Sequence, residues 1–147
     1  MSAVLLPRPV LDNSFRQLRD CGSGRAECVL YWCASLDQPD QLTRAVHPVH
    51  RAGRGWYEVD SAWITQFFLG LRRDRQTVRA QVHTHPREAG HSWTDDQFSL
   101  VPAKGFLSLV IPDFAVGPAR LARTVLVRMQ ADGTWAPADA EEAFSVE

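Results

Sequence analysis

The chain has 147 residues, of which 45% are hydrophobic, and a formal net charge of −1. This length suits one domain, residues 1–147, large enough to bury roughly two-thirds of the surface of the unfolded chain. The near-neutral charge provides no basic surface, which argues against nucleic acid as a partner.

The cysteines and the apolar segments indicate a cellular compartment. Cys21, Cys28 and Cys33 are odd in number and form no C-x-x-C pair, which favours reduced thiols in a cytosolic protein over a secreted disulfide framework. Cys28 and Cys33 lie in an apolar run and are expected in the core. The N-terminal apolar stretch is too short for a signal peptide, and no later run reaches the length of a membrane span. We therefore expect a soluble, cytoplasmic protein that does not associate with membranes.

The first third of the sequence predicts a short helix followed by an antiparallel pair of strands. The helix is expected to start at Asp12 or Asn13, which are both good caps, and to end at Gly22. An apolar run rich in strand formers then predicts a strand buried on both faces, residues 27–34. A turn separates it from a second strand, residues 42–49, which pairs with the first as a hairpin.

The clearest helix follows a loop that is predicted over residues 51–55. Asp60 supplies its cap, and apolar residues at i, i+3, i+4 and i+7 form one helical face: Ile64, Phe67, Phe68 and Leu71. Further strands are predicted over residues 105–112 and 121–129, and an Asp-Gly hairpin signal comes after them. The acidic tail, residues 139–147, is expected to be loosely held.

These elements predict the fold class. Strands with two separated helices, connected by hairpins rather than by regular crossovers, argue for a mixed α/β (α+β) fold. We expect a sandwich or curled sheet flanked by helices.

Two histidines lie at the end of the strand that follows the clearest helix. Apolar and polar residues alternate over residues 78–85, which is the period of an extended strand and puts His83 and His85 on one face. Pro86 then stops the strand because it cannot donate to a ladder. Two adjacent imidazoles can each give one nitrogen to a divalent metal.

A third metal ligand is expected from the next segment. Ser92 can cap a helix, and Asp95 lies in the first turn of that helix, where a carboxylate is electrostatically favoured. Two histidines and one carboxylate leave a fourth zinc position for water, which is the composition of a catalytic site rather than a closed structural site.

Together these residues resemble the JAMM motif of the JAB/MPN zinc metalloproteases, which include deubiquitinases and prokaryotic relatives. The matching elements are Glu27 at the start of an early strand, His83-Thr84-His85-Pro86, and Ser92-Trp93-Thr94-Asp95. The resemblance covers most of the chain, since the order of the predicted elements also matches. It implies a JAB/MPN-like curled mixed sheet flanked by helices, a cytidine-deaminase-like sandwich.

The resemblance implies a role for each residue of the motif. His83, His85 and Asp95 would bind Zn²⁺, and Glu27 would hold the attacking water, take its proton and pass it to the leaving amine. Ser92 would donate a hydrogen bond to the oxyanion, a contribution of about 3–4 kcal/mol in sites where such a donor has been removed. The expected reaction is hydrolysis of an amide.

The motif departs from the family pattern in one place. Residues 87–91 separate Pro86 from Ser92, one residue fewer than is usual in the family, and Asp95 is followed by Asp96. Counting from the histidines selects Asp96, whereas counting from the serine selects Asp95. We favour Asp95 because one helical turn fixes its distance from the serine, while a loop can lose a residue at little cost.

The family resemblance also implies a substrate and partners. The expected activity is that of a deubiquitinase-like isopeptidase or peptidase that cuts after the C-terminus of a ubiquitin-like protein, either in a conjugate or in a precursor. Segments such as Phe106-Leu-Ser-Leu-Val-Ile-Pro are similar to those of a bacterial JAB subgroup. Members of that subgroup are found with ubiquitin-like proteins and their activating and conjugating enzymes. This similarity implies those enzymes as partners and a role in antiviral defence.

Three other functions compete with this interpretation. A zinc hydrolase that acts on a small amide would use the same residues. Non-catalytic MPN scaffolds have usually lost motif residues, all of which are present here. Cupins also use His-x-His, but they need a glutamate further along than Glu88, and the helix over residues 64–71 does not belong in their all-β barrel.

Each candidate residue also has a purely structural interpretation. An isolated His-x-His is more often a solvated or hydrogen-bonded pair at a strand edge, Glu27 an exposed carboxylate, and Ser92 a simple helix cap. His47, His50 and His91 have no motif support, and we expect them to be surface or packing residues, with His91 adjoining the site.

Overall fold

A computed structural model of the protein describes residues 3–89 and 99–147. Its strands are β1 (Val4–Leu6), β2 (Val29–Ser35), β3 (Gln38–Val46), β4 (His50–Gly53), β5 (Trp56–Val59), β6 (Gln76–Thr84), β7 (Leu107–Ile111), β8 (Val125–Met129), β9 (Trp135–Ala138) and β10 (Phe144–Val146). Its helices are α1 (Arg8–Gly22), α2 (Ser61–Arg73) and α3 (Ala140–Ala143), and a single 3-10 turn covers Asp113–Ala115.

A mixed sheet forms the centre of the fold. Within the described residues it has eight strands in the order β10-β1-β3-β2-β6-β7-β8-β9, and β4 and β5 form a separate hairpin. The predicted antiparallel pairing of β2 with β3 is confirmed, as is the hairpin between β8 and β9. β6 and β7 run parallel, with Thr84 opposite Ile111, so the carboxyl ends of both strands lie at the same edge of the sheet.

Both faces of the central strand β2 are covered, as its continuous apolar sequence predicts. Trp32 packs in the cluster on the α1 face, and its indole N–H donates to the Ser14 hydroxyl at 2.9 Å. Tyr31 points to the other face and stacks on Trp63 and Phe67 of α2. The two helices therefore close the sheet from opposite sides, which is the flanked mixed sheet expected from the sequence.

The helix predicted from Ile64 to Leu71 is confirmed as α2, but its packed face is Trp63, Phe67 and Leu71, and Phe68 of the predicted apolar face is exposed. The Asp60 carboxylate accepts a hydrogen bond from the Trp63 backbone N–H at 2.9 Å, so the predicted cap is formed. None of the helices in the described ranges is long and apolar enough to cross a membrane.

Helix α1 begins earlier than the sequence predicts. Its first residue is Arg8 rather than Asp12 or Asn13, and Pro9 lies in its first turn, where the fixed backbone angle of proline suits a helix start. No side chain caps this start, which explains why a search for capping residues selects a later position. The predicted end at Gly22 is confirmed.

Two stretches predicted as irregular form regular elements. Residues 51–55 belong largely to the β4–β5 hairpin, although their glycines are typical of a loop. The tail predicted to be loosely held carries α3 and β10, and β10 pairs with β1, with Val4 opposite Phe144. Phe144 is 3% exposed and contacts Trp32 edge-on. The tail prediction is wrong because the partner strand lies at the other end of the sequence.

Strand boundaries and register also differ from the predictions. β3 and β8 begin at Gln38 and Val125 rather than at residues 42 and 121. The alternation predicted over residues 78–85 is interrupted, because Trp32 pairs with Ala80 while the next residue of β2 pairs with Val78. The residue between them has no opposite partner, so Val78 joins the cluster on the α2 face.

The cysteines differ from expectation at one pair. Cys21 and Cys28 form a disulfide, which contradicts the expectation that all the thiols are reduced. The fold brings the end of α1 to the start of β2, with a Cα–Cα distance of 6.1 Å, within the range of about 4.4–6.8 Å that a disulfide requires. Cys33 is free and buried, and burial raises the pKa of its thiol to about 11.

Candidate metal centre

Glu27, His83 and His85 come together at one end of the sheet. One ligand atom from each residue lies within 4.8 Å of the others. Glu27 and His83 are 3% and 0% exposed, whereas His85 is partly exposed, so the cluster is deep but reachable from one side. The imidazole rings are 5.3 Å apart. A carboxylate and two imidazoles at these distances fit a divalent transition metal.

The pairing of β2 with β6 places Glu27 beside the histidines. Val29 pairs with His83, and the backbone of Cys28 is held by Thr84 in both directions. The Cys28 N–H donates to the Thr84 hydroxyl at 2.9 Å, and the Thr84 N–H donates to the Cys28 carbonyl at 3.1 Å. Continuing this antiparallel register by one residue puts Glu27 opposite His85, on the same face of the sheet.

The β4–β5 hairpin covers the same end of the sheet. The Glu27 backbone N–H donates to the carbonyl of Gly53 at 2.9 Å, which fixes the residue just before β2. The ring of Tyr57 lies 5.2 Å from the ring of His83. The sequence analysis missed Tyr57, since one tyrosine between the predicted loop and the Asp60 cap carries no motif signal.

A left-handed turn after β7 holds the backbone of His85. The His85 N–H donates to the Ile111 carbonyl at 2.9 Å, and the His85 carbonyl accepts from the Phe114 N–H at 2.9 Å. Asp113, Phe114 and Ala115 have φ angles of 55°, 53° and 62°. This conformation costs roughly 1–2 kcal/mol per non-glycine residue. The turn is thus held in an unfavourable backbone conformation, and it positions the second histidine beyond the end of β6.

Gln81 links the histidine strand to the segment downstream of the site. It lies two residues before His83 on β6 and is 3% exposed. Its side-chain amide donates to the Ser108 hydroxyl at 3.1 Å, and its carbonyl oxygen accepts from the Leu100 N–H at 3.0 Å. The sequence analysis assigned Gln81 no role. A buried polar side chain needs hydrogen-bond partners, so a polar residue on a strand whose two faces are both covered indicates such contacts.

The remaining predicted site residues lie outside the described residues: Ser92, Asp95 and the alternative Asp96. Their roles, and the choice between the two aspartates, stay predictions. His91 lies in the same segment. His47 and His50, expected to be surface or packing residues, contact each other with ring centroids 5.1 Å apart.

Comparisons with known proteins identify relatives by sequence and by fold. No protein-family model matches the chain. A protein named probable metalloprotease y4jG, from Sinorhizobium fredii, is 31% identical over 137 residues, which cover 90% of this chain and 85% of that protein. The chain spans most of this relative, so the similarity concerns the whole fold and not a short motif.

Solved structures share the fold at low sequence identity. Protein DSY2949 from Desulfitobacterium hafniense matches with a TM-score of 0.69 and 13% identity, over 97% of this chain and 92% of that one. AF2198, a JAB1/MPN domain protein from Archaeoglobus fulgidus, matches with a TM-score of 0.55 and 13% identity, over 98% of each chain. The curled mixed sheet with flanking helices predicted from the sequence is thereby confirmed.

Proposed function

Because this chain belongs to the JAB/MPN family of metalloproteases, we propose that it is a zinc-dependent, JAMM-type peptidase that cleaves the amide bond after the C-terminus of a ubiquitin-like protein. The observation that supports this proposal most is the meeting of Glu27, His83 and His85 within 4.8 Å, in a chain that is 31% identical to a named metalloprotease. Glu27 lies 56 positions before His83 and 58 before His85, so the fold brings it to the histidine pair.

The donor set fits a catalytic zinc site. His83 and His85 would bind the ion together with the predicted third ligand, Asp95. When bound, zinc supplies Lewis acidity, which polarises a carbonyl and makes water a stronger acid. The partly exposed His85 marks the side from which a substrate can approach.

Glu27 is the general base in this proposal. Its backbone N–H is fixed by Gly53 and its carboxylate lies beside both imidazoles, so it faces the place where water attacks the scissile carbonyl. The carboxylate takes a proton from the attacking water as the new C–O bond forms. It then gives that proton to the amide nitrogen as the C–N bond breaks, while the Ser92 hydroxyl donates a hydrogen bond to the oxyanion.

The β4–β5 hairpin, a separate two-stranded sheet with its own edges, covers this site. It reaches both Glu27, through Gly53, and His83, through Tyr57. An extended substrate tail can be presented to the site by adding as a strand along such an edge. The C-terminal tail of a ubiquitin-like protein suits this mode because it is extended and ends at the bond to be cut.

The partners in this proposal are a ubiquitin-like protein, or its conjugates, and the activating and conjugating enzymes of the same system. A cytoplasmic location and a role in antiviral defence belong to the same proposal and rest on the resemblance of the motif segments to a bacterial JAB subgroup.

The test is cleavage of a ubiquitin-like protein fused through its C-terminus to a reporter. We expect cleavage that stops with a chelator and returns with Zn²⁺. Glu27→Gln should lower kcat by about 10²–10⁴-fold, since general base catalysis is worth that much. The matched control is Glu141→Gln on α3, an exposed carboxylate outside the hairpin, which should leave kcat unchanged.

Other outcomes separate the competing functions. Cleavage that survives Glu27→Gln contradicts the mechanism. Zinc bound at stoichiometric level with hydrolysis of small amides but not of the fusion would favour the small-amide hydrolase. A purified protein that binds no metal and cuts neither substrate would favour the scaffold.

A further inference from the structure

A second cluster of metal-binding side chains lies directly behind the Glu27 segment. It consists of Cys21, Cys28, His47 and His50, and one ligand atom from each lies within 4.8 Å of the others. Cys21 is in the last turn of α1, Cys28 follows Glu27, His47 follows β3, and His50 begins β4. We name these four residues the Cys–His cluster.

One sulfur–nitrogen distance equals the value around a tetrahedral zinc ion, and the other is about 0.4 Å shorter. His47 Nε2 lies 3.2 Å from Cys28 Sγ, and His50 Nε2 lies 3.6 Å from Cys21 Sγ. Zn–S bonds of about 2.3 Å and Zn–N bonds of about 2.0–2.1 Å at a tetrahedral angle put S and N about 3.6 Å apart. Each imidazole thus stands where a second ligand of the same ion would stand.

The tautomer of His50 is set for ligation. Its Nδ1 lies 3.1 Å from the carbonyl oxygen of Pro48, and a carbonyl can only accept, so Nδ1 carries the proton. Nε2 then has its lone pair free to point at the cluster beside Cys21. Metal-binding histidines almost always donate their other ring N–H in this way to a backbone carbonyl or a carboxylate.

The disulfide between Cys21 and Cys28 accounts for the sulfurs but not for the imidazoles. A partly buried cystine needs no nitrogen ligands, yet the Nε2 atoms of two histidines from one short connection lie near its two sulfurs. We propose that, when Cys21 and Cys28 are reduced, the Cys–His cluster binds zinc as a closed, structural Cys₂His₂ site. This site is separate from the proposed catalytic centre.

The sequence spacing explains why this site is not visible as a motif. Six residues separate the cysteines and two separate the histidines, which differs from the C-x₂₋₄-C and H-x₃₋₅-H of zinc fingers. The ligands come from the ends of different elements, so the tertiary fold assembles them. A bound ion would tie the end of α1 and the start of β4 to the residue next to Glu27, and so position that carboxylate.

The experiment is a Co²⁺ titration of the full chain in a phosphine reductant. The phosphine reduces the disulfide to two thiols and takes up the oxygen of water as phosphine oxide, and the divalent metal then displaces the two thiol protons. Cobalt bound to thiolate gives an intense charge-transfer band in the near ultraviolet. The Glu27, His83 and His85 site has no sulfur, so this band reports the Cys–His cluster alone.

We expect Co²⁺ to produce the band in the wild-type chain and in His83→Ala, and Zn²⁺ to displace it. Cys21→Ser should abolish it. Cys33→Ala should keep it, because Cys33 is a buried thiol on β2 outside the cluster. His50→Gln keeps both thiols and should weaken zinc binding by more than about 100-fold, since even the loss of a residue that only supports a ligand costs 10–100-fold.

Two results would overturn the proposal. The first is a reduced wild-type chain whose two thiols react with an alkylating agent but give no sulfur-to-cobalt band. The second is a His50→Gln variant whose sulfur-to-cobalt band appears at the same Co²⁺ concentration as that of the wild type. Neither readout uses peptidase activity, so failure here leaves the proposed function untouched, and failure of the fusion assay leaves this site untouched.

Discussion

Two clusters of metal-binding residues share one short stretch of chain but differ in chemistry. Glu27 belongs to the centre with His83 and His85, while its neighbour Cys28 belongs to the Cys–His cluster. Adjacent residues of an extended strand point to opposite faces, which separates the two sets. One set combines a carboxylate with imidazoles and suits an open, catalytic ion, whereas the other combines thiols with imidazoles and suits a closed, structural ion.

The two clusters also differ in burial, and the difference agrees with their difference in ligand type. Glu27 and His83 are buried by the sheet, the β4–β5 hairpin and the turn after β7, whereas the Cys–His cluster includes an exposed His47. A catalytic group gains from a site without bulk water, because its electrostatic interactions are stronger there. A structural ion needs only its ligands. Donor type and burial, taken together, distinguish the proposed roles of the two clusters.

The largest expected effect separates the clusters completely. His83→Ala removes a proposed ligand that is 0% exposed, so peptidase activity should fall by more than about 100-fold while the sulfur-to-cobalt band stays. His47→Ala should have the opposite effect: the sulfur-to-cobalt band should be lost, and zinc should remain bound at the proposed catalytic centre. Zinc content and cobalt spectra of both variants check this. Loss of both metals in both variants would mean that the clusters are not independent.

A smaller effect tests whether the Cys–His cluster positions Glu27. His50→Gln should lower kcat by about 10-fold and change KM little, because a displaced general base slows the proton transfer without removing substrate contacts. The matched control is His47→Ala in the oxidised protein, where the disulfide already joins Cys21 to Cys28 and kcat should match the oxidised wild type. A rise in KM alone would contradict a positioning role.

The smallest effect concerns the support of the catalytic centre. Gln81→Leu leaves the Leu100 N–H and the Ser108 hydroxyl without the hydrogen bonds that Gln81 makes, which should cost about 1–3 kcal/mol of unfolding free energy. Urea unfolding measures it. Gln66→Leu, an exposed position on α2, is the control and should change stability by less than about 0.5 kcal/mol. Equal values for both variants would show that Gln81 gives no such support.

Local patterns predicted the parts of the structure whose determinants are local. Helix α2 forms where its 3.6-residue period predicts it, with the Asp60 cap. Strand β2 forms in the continuous apolar run. The histidine pair also lies at a strand end, although an extra residue in β6 shifts the register before it. These elements form as predicted because their signals are local, whereas the exposure of Phe68 on α2 depends on how the helix packs against the sheet.

The remaining features depend on contacts between distant residues. The pairing of Val4 with Phe144 and the approach of His47 to Cys28 leave no periodic signal in the sequence. The glycines of the β4–β5 hairpin led to the prediction of a loop. The hydrogen bond from the Glu27 N–H to the Gly53 carbonyl could therefore not be predicted. The sequence therefore predicted that Glu27, His83 and His85 come together, but not the contacts that position them.

The most direct test of the central claim is the crystal structure of the zinc-loaded protein, with anomalous diffraction recorded at the zinc absorption edge. The account predicts a peak bound by the imidazoles of His83 and His85 and an aspartate carboxylate, with the Glu27 carboxylate beside it. A zinc-loaded crystal with no anomalous peak between these two histidines, or with Glu27 turned away from them, would contradict it.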